Sequence, residues 1–199
     1  MPTCVSAGFI TLTFARHFFW RNIYVNRLIT LIGEDKFKKI EEIKVLIVGL
    51  GGVGGYALEA ILRSGIKNIF IVDNDIIHIS NLNRQIITSI DNIGKSKAEI
   101  AADRALSINP LINLTALSLF LDKENIDQII NEDFNYVIDA CDSVNTKLLL
   151  IEYSLKLNYK LISCMGTANK TNPALFTITE LTKTSNDPLA RILRKRIKN

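Results

Sequence analysis

Residues 45–48, Val-Leu-Ile-Val, form an unbroken apolar run that stops at a glycine-rich turn. A short run without polar alternation is typical of a strand inside a parallel sheet that is covered on both faces. The next segment, residues 56–64, places Leu58 and Leu62 on one face of a predicted helix. Glycines let the backbone approach a phosphate closely, and a helix N-terminus offers unpaired N–H groups. Strand, glycine turn and helix in this order predict a nucleotide site, although a tight turn without a ligand has the same pattern. The candidate phosphate-binding glycines are Gly49, Gly51, Gly52 and Gly54.

The composition is that of a globular cytoplasmic protein. The chain has 199 residues, of which 48% are hydrophobic and 22% are charged, and a net charge of +4. This length suits one domain, which we expect at residues 21–199, with residues 1–20 as an N-terminal extension outside the core. Three widely spaced cysteines without a C-x-x-C pair indicate neither a disulfide framework nor a cysteine zinc site. No uncharged apolar stretch is long enough to span a bilayer.

Strands and helices alternate along the chain. This alternation predicts an α/β fold, a doubly wound, mostly parallel Rossmann-like sheet with helices on both faces. Strands are predicted at residues 45–48, 68–73, 114–119, 136–140, 160–164 and 175–181, the last as an edge or antiparallel strand. Helices are predicted at residues 22–42, divided at Gly33, and at 56–64, 96–108, 123–130 with Asp122 as its N-cap, 144–157, and from Pro188 onward.

Charged side chains follow the carboxyl ends of several predicted strands, where ligands bind in such sheets. Asp73 ends the second strand, 24 residues after Gly49, a position from which a carboxylate reaches ribose hydroxyls. Arg84 follows in a polar loop, and Lys97 lies in the first turn of a helix. Because the helix dipole disfavours a cation there, an anionic ligand would explain Lys97, although a lysine on a solvated helix surface is an equally good interpretation of this residue alone.

Two nucleotide chemistries fit the glycine turn. A redox enzyme would hold the pyrophosphate of NAD, which helix N–H groups largely satisfy. An adenylating enzyme would hold ATP, whose departing pyrophosphate gathers charge and therefore requires cationic side chains and a metal ion. Arg84, Lys97 and Asp142 favour ATP.

Six fragments in one order resemble the ThiF/MoeB type of adenylating protein in the ubiquitin-activating-enzyme superfamily. They are Gly-Leu-Gly-Gly-Val-Gly, Val-Asp-Asn-Asp, Ser-Asn-Leu-Asn-Arg-Gln, Gly-Lys-Ser-Lys-Ala-Glu, Ile-Asn-Pro and Asp-Ala-Cys-Asp-Ser-Val, within a match from about Arg27 to Arg196. Within this superfamily, the sequence of residues 181–196 is similar to that of the branch that modifies tRNA. The lack of a C-x-x-C pair, which members that activate sulfur carriers often keep, agrees with this branch. Relatives in that branch usually continue further, so the domain is expected to be short at its C-terminus.

The resemblance implies ATP and Mg²⁺ as cofactors and a role for each matching residue. Asp73 would bind the ribose, Asn81, Arg84 and Lys97 the phosphates, and Asp142 the metal near the α-phosphate. In a homodimer, Arg27 would reach across the interface to the γ-phosphate of the ATP that is bound to the partner chain. Cys141 and Cys164 are expected to be core residues, and Asp139 to cap the following turn.

The implied reaction is the ATP-dependent cyclisation, by loss of water, of threonylcarbamoyladenosine in tRNA. The basic run near the C-terminus would contact the tRNA or simply be a solvated helix end; its members are Arg191, Arg194, Lys195, Arg196 and Lys198. Two alternatives remain open. The chain could adenylate a ubiquitin-like sulfur-carrier protein within a sulfur relay, or it could be a truncated nucleotide-binding remnant without catalysis.

Overall fold

Five parallel strands form the central sheet of the computed structural model, which describes residues 25–130 and 133–198. The predicted N-terminal extension, residues 1–20, lies outside the described residues. The strands are β1 (Lys44–Val48), β2 (Asn68–Val72), β3 (Asn113–Leu117), β4 (Tyr136–Asp139) and β5 (Lys160–Ser163), in the order β3-β2-β1-β4-β5. The order reverses between β1 and β4, so their carboxyl ends flank the crevice in which ligands bind in doubly wound sheets.

Helices cover both faces of this sheet. They are α1 (Asn26–Ile32), α2 (Glu34–Glu41), α3 (Gly54–Arg63), α4 (Lys97–Ile108), α5 (Ile126–Ile129), α6 (Val144–Leu157) and α7 (Pro188–Ile197). Gly33, with a φ of 88°, separates α1 from α2 as predicted. Ser96, Ser143 and Asp187 cap α4, α6 and α7 by accepting hydrogen bonds from first-turn N–H groups.

The core has two layers because alternate residues of a strand face opposite sides of a sheet. Val45 and Ile47 of β1 pack with residues of α3 and α4 on one face. Leu46 and Val48 pack with residues of α5 and α6 on the other. A strand that is apolar on both sides is therefore explained by burial on both sides, as its sequence predicts.

Two sequence predictions are wrong. No strand forms at residues 175–181 within the described chain, which contains short 3₁₀ turns at Pro173–Leu175 and Leu181–Lys183 instead. A strand requires a hydrogen-bonded neighbour, and in the described part of the chain no segment pairs with this one. The helix predicted at residues 123–130 starts only at Ile126, because the Asp122 carboxylate accepts from the N–H of Glu124 at 2.9 Å and shapes a turn there. None of the described helices is long and apolar enough to cross a membrane.

Candidate active site at the strand carboxyl ends

The glycine turn after β1 touches the loop after β4. Gly49 has a φ of 91°, and a Cβ atom built on it would lie 2.8 Å from the carbonyl carbon of Ala140. Any side chain at this position would be both strained and in collision with backbone. The two loops therefore meet at the point where the strand order reverses, and glycine is what permits the contact.

Helix α3 begins directly against this turn. A Cβ atom on Gly54 would lie 1.7 Å from the carbonyl oxygen of Gly49, so the helix can start here only with glycine. No side chain caps this N-terminus. The N–H of Gly55 in this first turn already donates to the carbonyl of Gly51 at 3.1 Å. The first-turn N–H groups that have no such bond remain as donors for an anion.

Asp73 connects the end of β2 to the glycine turn. Its side chain accepts a hydrogen bond from the N–H of Leu50 at 2.6 Å and another from the N–H of Asp75 at 2.8 Å. Both carboxylate oxygens are thus engaged by backbone donors, although each oxygen retains a further lone pair. The structure places Asp73 beside the turn, as the sequence predicts. Its bond from Leu50 helps to hold the turn in place, and its ribose contact stays a prediction.

Arg84 lies over the glycine turn. Its Cγ atom is 3.5 Å from the position of a Cβ atom on Gly52, and its side chain is exposed. Nη1 donates to the carbonyl of Ser80 at 2.8 Å and to Oδ1 of Asn83 at 3.0 Å. These two bonds hold the guanidinium next to the turn while leaving it accessible to a phosphate.

Asn81 is buried in the same loop. Its Oδ1 atom accepts from the N–H of His78 at 3.0 Å and closes a 3₁₀ turn at Ile79–Asn81. Asn81 therefore shapes the loop that carries Arg84. Its predicted phosphate contact stays a prediction.

Gln85 is a residue that the sequence reasoning missed. Its side chain is only 5% exposed, and Oε1 has no hydrogen-bond partner in the described part of the chain. Its Nε2 atom lies 3.7 Å from the position of a Cβ atom on Gly51. A buried amide with an unpaired oxygen beside a glycine turn indicates a missing donor, from a ligand or a water. The only sequence signal was its place at the end of the motif Asn-Leu-Asn-Arg-Gln.

Lys97 is buried and already has an anionic partner. Its Nζ atom donates to Oδ2 of Asp75 at 2.7 Å, and the lysine side chain is 6% exposed against 57% for the aspartate. The sequence argument expected a ligand to supply the anion near this helix N-terminus. Asp75 supplies it here, and two further Nζ protons remain for a phosphate.

The loop after β4 is held by a buried ion pair. Lys147 donates from Nζ to both carboxylate oxygens of Asp139 at 2.9 Å, and both side chains are 0% exposed. Asp139 also accepts from the N–H of Cys141 at 3.3 Å and from the hydroxyl of Ser163. The predicted capping role of Asp139 is confirmed, and Lys147 is the partner that the sequence analysis did not identify.

Asp142 follows this anchored loop and is exposed. No group of three or more His, Cys, Asp or Glu side chains suited to a metal ion occurs within residues 25–130 and 133–198. Mg²⁺ usually keeps several waters and takes one or two carboxylates together with substrate phosphates. An exposed single carboxylate at this edge therefore fits a metal that arrives with a nucleotide and does not fit a resident metal centre.

Cys141 is half-buried beside Asp139. Burial, followed by the neighbouring Asp139 carboxylate, raises the pKa of the Cys141 thiol to about 12. Burial also raises the pKa of Cys164. Neither cysteine is therefore a thiolate near neutral pH. Both are only partly buried, so the prediction that they are core residues holds in part for Cys141, which packs against the core layer of Leu46 and Val48, and is not confirmed for Cys164.

Arg27 is exposed on α1. It lies away from the crevice at the carboxyl ends of β1 and β4, which we call the cleft. The helices α1 and α2 share a small apolar cluster with Leu111, which precedes the amino end of β3. The cleft lies at the opposite, carboxyl edge of the sheet. The structure thus brings the other predicted site residues to one edge and does not bring Arg27 there within one chain.

The chain is similar in sequence and in structure to known proteins. The model of the ThiF family matches residues 25–196. A protein of Bacillus subtilis named tRNA threonylcarbamoyladenosine dehydratase is 37% identical over 84% of this chain, and the Escherichia coli protein of that name is 38% identical over 85%. The crystal structure of the Escherichia coli enzyme in complex with ATP has a TM-score of 0.86 with 36% identity, covering 89% of this chain and 73% of that one. The chain spans 66% and 63% of the length of the two sequence relatives.

Proposed function

This chain belongs to the ThiF family, and we propose on that premise that it is an ATP-dependent enzyme that dehydrates threonylcarbamoyladenosine in tRNA. The observation that carries the proposal is the position of two cations at the edge of the sheet that carries the glycine turn. Arg84 lies over Gly52, and Lys97 is held at the same edge by Asp75. A triphosphate that loses pyrophosphate needs such cations, whereas a dinucleotide does not. The relatives that bear the dehydratase name support the substrate.

ATP fits the residues at this edge. The uncapped N-terminus of α3 and the close approach at Gly49 and Gly54 suit a phosphate chain. Asp73 would accept from ribose hydroxyls, and Asn81, Arg84 and Lys97 would contact phosphates. The buried amide of Gln85, with its unpaired oxygen, is an additional group that bound nucleotide or its water can satisfy.

The chemistry would proceed through an acyl-adenylate. The carboxylate of the threonylcarbamoyl group attacks the α-phosphorus of ATP, and the bond to pyrophosphate breaks. The carbamoyl oxygen then attacks the activated acyl carbon, AMP leaves, and a ring closes, so that the nucleoside loses one water. Arg84 and Lys97 would neutralise the charge that grows on the phosphates. No protein nucleophile is needed, because the second nucleophile is tethered within the substrate.

Asp142 would hold Mg²⁺ together with the phosphates and waters. The metal, when bound, supplies Lewis-acid stabilisation of phosphate charge. Arg27 would act in the partner chain of a homodimer, since within one chain it lies at the other edge of the sheet. We place the activity in the cytoplasm and in a single domain at residues 21–199, with a sulfur-relay protein as a possible further partner.

The direct test is mass spectrometry of nucleosides after incubation with threonylcarbamoyl-modified tRNA, ATP and Mg²⁺. We expect loss of one water from the modified nucleoside. Arg84→Ala and Lys97→Ala should each lower the rate by about 10²-fold or more, the usual cost of removing one preorganised donor to developing charge. Circular dichroism should show that both variants remain folded, because each removed cation is bonded only to exposed or backbone acceptors.

Arg104→Ala is the matched control for these variants. Arg104 lies on α4, the helix of Lys97, but donates to Glu59 at 2.7 Å and takes no part in the cleft. Its activity should equal that of the wild type. Equal activity of the Arg84, Lys97 and Arg104 variants would refute the catalytic assignment.

The two alternatives give different results. Pyrophosphate exchange that depends on a protein with a Gly-Gly tail, without any change in tRNA, would support adenylation of a sulfur carrier. Nucleotide binding without either reaction would support a non-catalytic remnant. Either of these two results would overturn the dehydratase proposal.

A further inference from the structure

Helix α7 and its C-cap residue Lys198 present three basic side chains on one outer face. Ala190 and Leu193 are completely buried and fix the inner face of the helix. Arg191, Lys195 and Lys198 are exposed and follow at intervals of four and three residues. This spacing aligns them in one stripe, roughly opposite the buried pair. We call these three residues the basic stripe.

The other two cations of α7 are committed to the protein. Arg194 donates from Nη1 to the carbonyl of Thr184 at 2.9 Å and to the hydroxyl of the same residue. Arg196 donates from Nη1 to Oδ1 of Asn145 at 2.9 Å. Of the five cations that the sequence groups together, only the basic stripe faces outward without a hydrogen bond in the described part of the chain.

Both ends of α7 are anchored beside the cleft. At its N-terminus, Asp187 accepts from the N–H of Ala190 at 2.7 Å and from Nζ of Lys170 in the loop after β5 at 2.8 Å. At its C-terminus, the bond from Arg196 reaches Asn145 in the first turn of α6, three residues after Asp142. The helix therefore runs along the β4–β5 side of the carboxyl edge, at the mouth of the cleft.

Helix electrostatics alone do not explain the stripe. Cations in the last turn or at the C-cap, such as Lys195 and Lys198, are favoured by the helix dipole, but Arg191 is the fourth residue of the helix, near the end where the dipole does not favour a cation. Like charges four residues apart also repel each other. Within Pro188–Ile197 no residue carries a carboxylate, and the carboxylate of the N-cap Asp187, four residues before Arg191, is buried and engaged by Ala190 and Lys170. A polyanionic partner accounts for all three cations.

We propose that the basic stripe binds the phosphate backbone of RNA and holds the target nucleoside at the cleft. This inference rests on the proposed function, because that function makes RNA the substrate. Each cation that neutralises a phosphate releases a counterion, so the stripe should control how binding depends on salt.

The test measures binding of an unmodified tRNA transcript to the full chain by fluorescence anisotropy at several KCl concentrations. We expect R191Q/K195Q/K198Q to reduce the slope of log Kd against log salt by about 2–3, because each lost phosphate contact removes about 0.7–0.9. Arg194 and Arg196 stay in place, so α7 keeps its anchors. ATP binding without tRNA should equal that of the wild type.

The matched control is K36Q/K38Q/K39Q, which removes the same charge from exposed positions on α2. This control should keep the wild-type slope. Equal slopes for the two triple variants would refute the stripe, as would a wild type that fails to bind tRNA at low salt. Tighter binding to anionic phospholipid vesicles than to tRNA would also refute it.

The outcome separates the stripe from the proposed function. Stripe-dependent tRNA binding without loss of water from the nucleoside would leave the stripe standing and overturn the dehydratase proposal. Loss of water with a wild-type salt slope in R191Q/K195Q/K198Q would overturn the stripe alone.

Discussion

Lys147 offers the sharpest test of how the cleft is held together. Its ammonium group is completely buried and donates to both oxygens of Asp139 at 2.9 Å and to the carbonyl of Cys164 at 2.8 Å. These bonds join α6, the end of β4 and the end of β5. Lys147→Met removes the charge at nearly constant length and leaves the Asp139 carboxylate buried without its counter-ion.

The expected cost of Lys147→Met is large. Breaking a buried ion pair by removing one partner typically costs about 3–5 kcal/mol, since the remaining charge is left uncompensated. With a urea m-value of about 2 kcal/mol/M, this corresponds to a fall of roughly 1.5–2.5 M in the unfolding midpoint. Far-UV circular dichroism during urea titration measures the midpoint directly.

Two further variants make this prediction refutable. Lys156→Met removes an ion pair with Glu152 on the same helix, but both side chains are 57% exposed, so the unfolding midpoint should hardly change. The double variant K147M/D139N has no buried charge and should be more stable than K147M alone. If K147M costs no more than K156M, or if the double variant is the least stable, the pair does not act as argued.

The remaining predictions concern two titrating groups. Burial raises the pKa of Asp187, but hydrogen bonds from Ala190 and Lys170 outweigh it and hold the pKa below the ordinary 3.8. Its carboxylate therefore stabilises the fold above that pH, and this stability is lost as the pH falls through the lowered value. Asp187→Asn keeps the N-cap and should show a smaller loss of thermal stability than the wild type between about pH 5 and pH 3. Cys141, with its pKa raised to about 12, should react slowly with iodoacetamide at pH 8, and Cys141→Ala should retain turnover. Rapid alkylation, or loss of turnover in a folded Cys141→Ala variant, would contradict the reading of this thiol as unreactive.

Most of the fold could be predicted because its strands are defined locally. Residues 45–48 are apolar on both faces, and such a run has few stable placements other than the centre of a covered parallel sheet. The helix at Val144–Leu157 was predicted with its observed bounds, since Ser143 provides a side-chain cap and Asn158 ends the helix in the left-handed conformation. The segment 175–181 has a strand-like alternation too, but pairing depends on a neighbour that sequence alone does not supply.

The sequence predicts the place of a site residue when its position at a strand end determines that place. It does not predict a residue whose role depends on a partner far away in the chain. The contacts of Gly49 and Asp73 follow from their places at strand ends. Lys147 lies eight residues from Asp139, and nothing in its helix distinguishes it from a surface lysine such as Lys156. The sequence does not single out Gln85 either, because only the structure shows that its amide oxygen is buried without a hydrogen-bond donor.

The charge balance at the cleft bears on what the proposed nucleotide would need there. Arg84 and Lys97 supply two positive charges, while Asp73, Asp75 and Asp142 supply three negative charges, and Asp139 is cancelled by Lys147. A triphosphate that enters this edge would meet a small excess of negative charge among these side chains, although solvent and salt screen those that are exposed, such as Asp142 and Asp75. A divalent cation at Asp142, as proposed, would reverse the excess, and an arginine from a partner chain at the γ-phosphate would add further positive charge. The same carboxylates that position Lys97 and the glycine turn thus create the requirement for further positive charge, which is the physical reason to expect both Mg²⁺ and a contribution from Arg27 across a dimer.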